Sequence, residues 1–204
     1  MPRVKVARKS TSIDMTAMCD VAFLLLTFFI LTAKPRIEDP VPVDVPGSVK
    51  DIKLPEENIA VITVGEKKAF FSVEGNDIRK AVLEQMGGLY NIQFTPQEME
   101  KFATLPVFGV PIQSLKQFLA LDVEQRQRYP QPGIPRDSVS DELFNWIRES
   151  RKAVKALHNQ EMRVSIKGDS KEEYPTIKDV IAILQRQKVN KFSLITSLRG
   201  ESKD

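Results

Sequence analysis

Cysteine and histidine are almost absent from this chain: its 204 residues hold one of each, Cys19 and His158. A lone cysteine forms no intramolecular disulfide, and a single histidine leaves no His/Cys cluster with metal-ligand spacing. No H-E-x-x-H, G-x-S-x-G, Walker or G-x-G-x-x-G pattern occurs, so neither an activated nucleophile nor a glycine-rich phosphate loop is encoded. His158 falls at the end of an expected helix, where it complements the helix dipole. Excess charge of one sign is missing as well, with 30 Lys and Arg against 27 Asp and Glu. No basic stripe is interleaved with aromatics, which argues against a nucleic-acid partner. These absences point away from an enzyme, a cofactor and a metal site.

Long hydrophobic runs are scarce too. There is one, Met15 to Ala33, reading MTAMCDVAFLLLTFFILTA, and its only charge is Asp20. At about 1.5 Å of rise per residue it spans roughly the 30 Å hydrocarbon core of a bilayer. A carboxylate at such depth costs on the order of 2.5–3.5 kcal/mol on insertion scales, so its usual reason to be there is ion or proton handling. Polar glue between helices, or snorkelling from about five residues inside the boundary, is the plainer alternative. Arg3, Lys5, Arg8 and Lys9 precede the run, whereas Lys34 and Arg36 are soon followed by Glu38, Asp39 and Asp44. The basic flank stays cytoplasmic, giving an N-in, C-out single pass with the bulk of the chain in a periplasm. A cleaved signal peptide fits worse, because the run is long, carries Asp20 and ends in Leu31-Thr32-Ala33.

Helical spacing aligns Thr16, Asp20, Phe23, Leu24, Thr27 and Leu31 on one stripe. A single span cannot hide a carboxylate from lipid, so the stripe calls for partner helices.

The stretch Ile13 to Phe29, with Thr16, Asp20-Val21 and a Leu-rich run, resembles the transmembrane signature of the ExbD/TolR family of biopolymer transport proteins. Thr16 takes the position of the family threonine and Asp20 that of its proton-carrying aspartate. Ala17 stands where the family usually has proline, and Cys19 where it has an apolar residue. The resemblance implies a homodimer of single spans inside a pentamer of ExbB- or TolQ-like multispan subunits. Proton flow through Asp20, with Thr16 and Thr27 as supporting pore-facing hydroxyls, would then drive a TonB- or TolA-like protein reaching the outer membrane. A TolR-like role in a Tol-Pal type complex for envelope integrity is the alternative within the family. A membrane-anchored tether or anchored enzyme is the alternative outside it. A MotB-like stator should carry an OmpA-like wall-binding domain, and none is evident.

The expected fold is α+β: a cytoplasmic basic tail (1–14), a transmembrane helix (15–33), an extended Pro-rich linker (34–57) and a small ββα…βαβ domain (58–204) with a helical insertion at about 89–160. The linker carries Pro35, Pro40, Pro42, Pro46 and Pro55 and no helical period. Its segment Ile52-Lys53-Leu54-Pro55 resembles a family segment that can pair as a strand with a partner, making Ile52, Leu54 and Pro55 the candidate partner-binding residues, with a plain spacer as the equal alternative. Ile59–Val64 and Ala69–Val73 flank a Gly65–Lys68 turn and read as a hairpin. Asn76 is expected to cap a helix bearing Ile78, Val82, Leu83 and Met86 and closed by Gly87-Gly88. Met162–Lys167, a helix opening at Pro175 or Thr176, and Phe192–Thr196 complete a βαβ unit, right-handed if its strands are parallel. Within the insertion, Thr95-Pro96-Gln97-Glu98 is a capping box and Leu105–Leu121 ends in a second helix. Tyr129–Pro135 is a loop, and Ser140 caps a helix with Leu143, Phe144, Ile147, Val154 and Leu157 on one side and Trp146 nearby. These apolar positions read as the insertion's own core, with a docking surface for a partner or the cell wall as the sharper alternative.

Overall fold

The structure, a computed structural model, describes residues 15–33, 40, 43, 45, 47–48, 57–136, 140–169, 174–195 and 197–198. In chain order its elements are α1 (Met15–Thr32), β1 (Gly47–Ser48), β2 (Ile59–Gly65), β3 (Lys68–Val73), α2 (Asn76–Tyr90), α3 (Pro96–Ala103) and α4 (Ile112–Ala120). There follow α5 (Val123–Arg128), α6 (Glu142–His158), β4 (Arg163–Gly168), α7 (Tyr174–Arg186), β5 (Phe192–Ile195) and β6 (Ser197–Leu198). Two compact units result, Met1–Ile37 and Glu38–Asp204: an apolar helix and a mixed α+β domain.

The domain is built on a four-stranded sheet of order β3-β2-β4-β5. The β2–β3 hairpin is antiparallel, and β2–β4 and β4–β5 are parallel. Its turn is Glu66-Lys67, both residues in the left-handed region at φ 52° and 60°. That conformation matches the twist of a tight two-residue hairpin, which is why the chain accepts it without glycine there. Ile62, Val64, Phe70 and Phe71 are fully buried, as are Ile78, Val82, Leu83 and Met86 from α2. The period-2 and period-3.6 apolar patterns therefore meet in one core, joined by Val180, Ile183 and Leu184 of α7.

Three expectations at helix ends are corrected. Gly75, at φ 102°, is the N-cap of α2 and Asn76 is its first residue. Gly87-Gly88 does not close α2, which continues to Tyr90 and ends at left-handed Asn91. Gly87 serves close approach instead: a Cβ there would lie 2.6 Å from the Ile92 carbonyl oxygen and 3.1 Å from the Phe94 ring. The α6 cap falls on Asp141, not Ser140. Glu142 is drawn inward to accept the Ile112 backbone N–H at 2.9 Å, and Asp141 pairs with Arg186.

The segment between the sheet halves is not a separate layer. The Thr95 capping box forms, with Glu98 as its partner. Leu105–Pro111 is non-helical, and its Phe108 exchanges two backbone hydrogen bonds with Phe71 of β3, at 2.8 and 3.1 Å. Ile134 donates to the Ala69 carbonyl at 2.8 Å, so the outer edge of β3 is covered, as an exposed strand edge usually must be. Trp146 is fully buried, stacked on Phe102 at 5.8 Å and edge-on to Phe108 at 4.8 Å. Leu157, expected on the buried side of α6, is half exposed because the last turn runs past the core. Helix α5 was not expected; the Asp122–Gln125 capping box starts it.

Candidate functional site

Helix α1 is the first element with functional content. Its 18 residues are continuous helix, about 27 Å long at 1.5 Å per residue, and none is buried. Among the described residues it is the one helix long and apolar enough to cross a membrane. Phe23, Leu24, Leu25, Leu26, Phe28, Phe29 and Ile30 are all more than half exposed, which in water would be untenable and in lipid is the favoured state. Asp20 has no hydrogen-bond or ion-pair partner among the described residues, and its side chain stands on that apolar surface. With 3.6 residues per turn, Thr16 and Thr27 lie roughly 40° and 20° around the axis from Asp20. The expected stripe is thus present as geometry. Thr27 donates its hydroxyl proton to the Leu24 carbonyl at 3.0 Å, leaving its oxygen as an acceptor. That back-bond removes the penalty of a bare hydroxyl in lipid and withholds the same proton from a relay.

The candidate partner-binding residues Ile52, Leu54 and Pro55 lie outside the described residues. Close by, Gly47-Ser48 pair in parallel with Ser197-Leu198. Part of the region read as linker is therefore a strand of the chain's own domain, on the backbone that continues β5. In the four-stranded sheet β3 is the covered terminal strand and β5 is the other terminal strand.

A polar cluster not foreseen joins three elements. His158, the last residue of α6, has Nδ1 at 2.5 Å from Asn58 Oδ1 and Nε2 at 3.0 Å from Asp77 Oδ2. Asn58 turns its amide nitrogen to Gln160 Oε1 at 2.9 Å, which fixes its oxygen toward the ring. Both neighbours turn an oxygen toward the ring, so each ring nitrogen that carries a proton has an acceptor facing it. The His158 hydrogen bond holds the Asp77 carboxyl below its ordinary value, against a smaller effect of burial. Asp77 is more than half exposed, so the pair contributes about 0.2–1 kcal/mol and works as a positional latch more than a store of stability. No sequence signal could have found it, because 100 and 81 residues separate the partners.

A buried polar group, Arg79, donates to the Val73 carbonyl at 2.6 Å and the Ala103 carbonyl at 2.8 Å, with Glu74 at 3.6 Å. Burial pushes its guanidinium down and Glu74 pushes it back up. It ties α2 to the end of α3 and is structural. Among the described residues no group of three or more His, Cys, Asp or Glu could hold a metal ion.

The model of the family described as Biopolymer transport protein ExbD/TolR matches residues 7–199, nearly the whole chain. No curated protein and no solved structure matches significantly.

Proposed function

We propose a function that follows from what this chain is: it belongs to the ExbD/TolR family of biopolymer transport proteins. Members of the family are non-catalytic, membrane-anchored proteins. On our reading the chain is a subunit of an inner-membrane complex that converts the proton gradient into work on the outer membrane, with Asp20 as the proton carrier. The N-terminal 14 residues are cytoplasmic and the domain after residue 57 is periplasmic. The single observation that carries the reading is Asp20 itself, the one charge in an 18-residue apolar helix, without a partner among the described residues.

The physics sets what the complex must provide. Lipid cannot solvate an ionised carboxylate, so neighbouring helices of a multispan ExbB- or TolQ-like ring, and a second copy of α1, surround it. One charge crossing about 100 mV releases about 2.3 kcal/mol, so many protons act in sequence to perform a large movement. Thr16 and Thr27 line the same face, and the oxygen of Thr27 is free to accept a hydrogen bond from water or protonated Asp20. The linker segment around Ile52, Leu54 and Pro55 passes the movement to a TonB- or TolA-like recipient.

The experiment is receptor-dependent uptake across the outer membrane in cells carrying Asp20→Asn, with co-purification of the multispan partner as the assembly control. An assembled complex without uptake supports the reading. Uptake equal to wild type removes Asp20 as an obligatory carrier and favours a passive anchor.

A further inference from the structure

A cleft of about 1380 Å³ lies between the second half of α6, the start of β4 and the turn leading into β5. Its walls are strongly cationic. Arg148, Arg151, Lys152 and Lys155 come from one face of α6, at spacings of three, four and seven residues. Arg163, Lys188 and Lys191 face them from the β4 and β5 side, and Glu161 is the one acidic residue in the lining.

Local partners do not account for this convergence. Glu149 takes Arg148 at 2.7 Å and Lys152 at 3.0 Å, so that acid is already used. Burial pushes the Glu149 carboxyl up, but hydrogen bonds from Lys152 and Arg148 outweigh it and keep it below its ordinary value. Arg151 donates to the Gln187 carbonyl at 3.1 Å and keeps its charge uncompensated. Lys155, Arg163, Lys188 and Lys191 have no ion pair among the described residues. A helix C-terminus welcomes Lys155, yet Arg163 and Lys191 belong to no helix, so the dipole does not explain them. Lys188 is held in the left-handed region at φ 59° within a turn closed by backbone bonds to Gln185 and Leu184. The backbone that presents it is therefore fixed.

Like charges collected in a concavity repel one another unless a ligand brings compensating charge. A monocarboxylate offsets one of them. Clustered phosphate groups carry more charge in the same volume, and their oxygens suit both the arginine fork and the lysine point charge. We propose that this cleft is a binding site for a polyanion bearing phosphate groups, either an anionic lipid headgroup or a free phosphate compound. The site is separate from α1 and holds whether or not Asp20 carries protons.

The test is calorimetric titration of the full chain, in neutral detergent, with inorganic tripolyphosphate. Saturable binding is expected. Lys155→Gln with Lys191→Gln should weaken it roughly tenfold or more, the loss expected when two charge-assisted contacts go. Arg128→Gln with Lys178→Gln removes the same net charge outside the cleft and should leave binding within about twofold, since screening suppresses distant charges. Lys155→Arg with Lys191→Arg keeps both charges and should likewise bind. Absence of saturable binding, equal weakening by the cleft and control pairs, or loss of binding in the arginine pair overturns the proposal. Repeating the titration in phosphatidylcholine nanodiscs with and without cardiolipin, whose headgroup carries two phosphates, separates the sources. Competition by cardiolipin, lost in the cleft pair, identifies a lipid headgroup; unchanged affinity identifies a free phosphate compound.

Discussion

Replacing Phe108 by alanine should unfold far more than its own loop. Phe108 is 3% exposed and packs edge-on against Trp146 at 4.8 Å, Phe102 at 5.1 Å and Phe71 at 6.2 Å. Its backbone also forms the bridge that covers β3. Truncating a buried phenylalanine costs about 3–5 kcal/mol, through lost transfer energy and the cavity left behind. With a urea slope of about 2 kcal/mol per molar, the midpoint should fall by about 2 M. Trp146 is the only tryptophan and packs on Phe102 and Phe108, so its fluorescence reports the packing inside the insertion, while far-UV circular dichroism reports the helices and strands of both insertion and sheet. In the full chain in detergent the two signals outside α1 should move together, because insertion and sheet share one core. A midpoint shift below about 0.5 M, or a Trp146 transition separated from the dichroism, would refute the shared core.

Three further outcomes are expected. Gly87→Ala should destabilise the domain by about 1–3 kcal/mol in thermal melts, since its Cβ would press to 2.6 Å from the Ile92 carbonyl oxygen; Gly88→Ala, with open space around it, should not. The Asp77 carboxyl is held down in the folded state, so its contribution is present above the ordinary carboxylate range and is lost as pH falls through that depressed value. Asp77→Asn should flatten that acid limb of the stability curve by about 0.2–1 kcal/mol in urea titrations across pH; an unchanged limb would contradict the latch. Glu142→Ala should cost about 1–3 kcal/mol in the same denaturation assay by stranding the buried Ile112 N–H, whereas Glu142→Gln keeps an acceptor oxygen and should cost less.

The sequence discloses those parts of the molecule whose cause is local. The apolar run of α1 with its single charge, the β2–β3 hairpin, the apolar face of α2 and the β4–α7–β5 unit all follow from periodicity and turn residues within a few positions. Helix ends were legible only where a side chain decides them, as at Thr95. Gly87 looked like a terminator because its other use, room for Phe94 and the Ile92 carbonyl, exists only after the chain folds back. Ser140 lost the cap to Asp141, which is held by Arg186 from another helix. The Phe71–Phe108 bridge and the His158 cluster join residues far apart in sequence, where no pattern reaches. The basic cleft lies between these cases. Its half from α6 is written plainly as cations at i, i+3, i+4 and i+7, but its other half arrives from the start of β4 and the turn before β5. Asp20 is legible for the opposite reason, since in hydrocarbon one ionisable residue stands out without any tertiary information.

The central claim is that Asp20 carries protons, and proton flux tests it most directly. The chain would be co-reconstituted with its multispan partner in vesicles under an imposed potential, with a pH-sensitive dye inside. Flux in the wild type that vanishes in Asp20→Asn, with both subunits present in the vesicles, is the expected result. Equal flux in the two, or none in either assembled complex, would contradict the account.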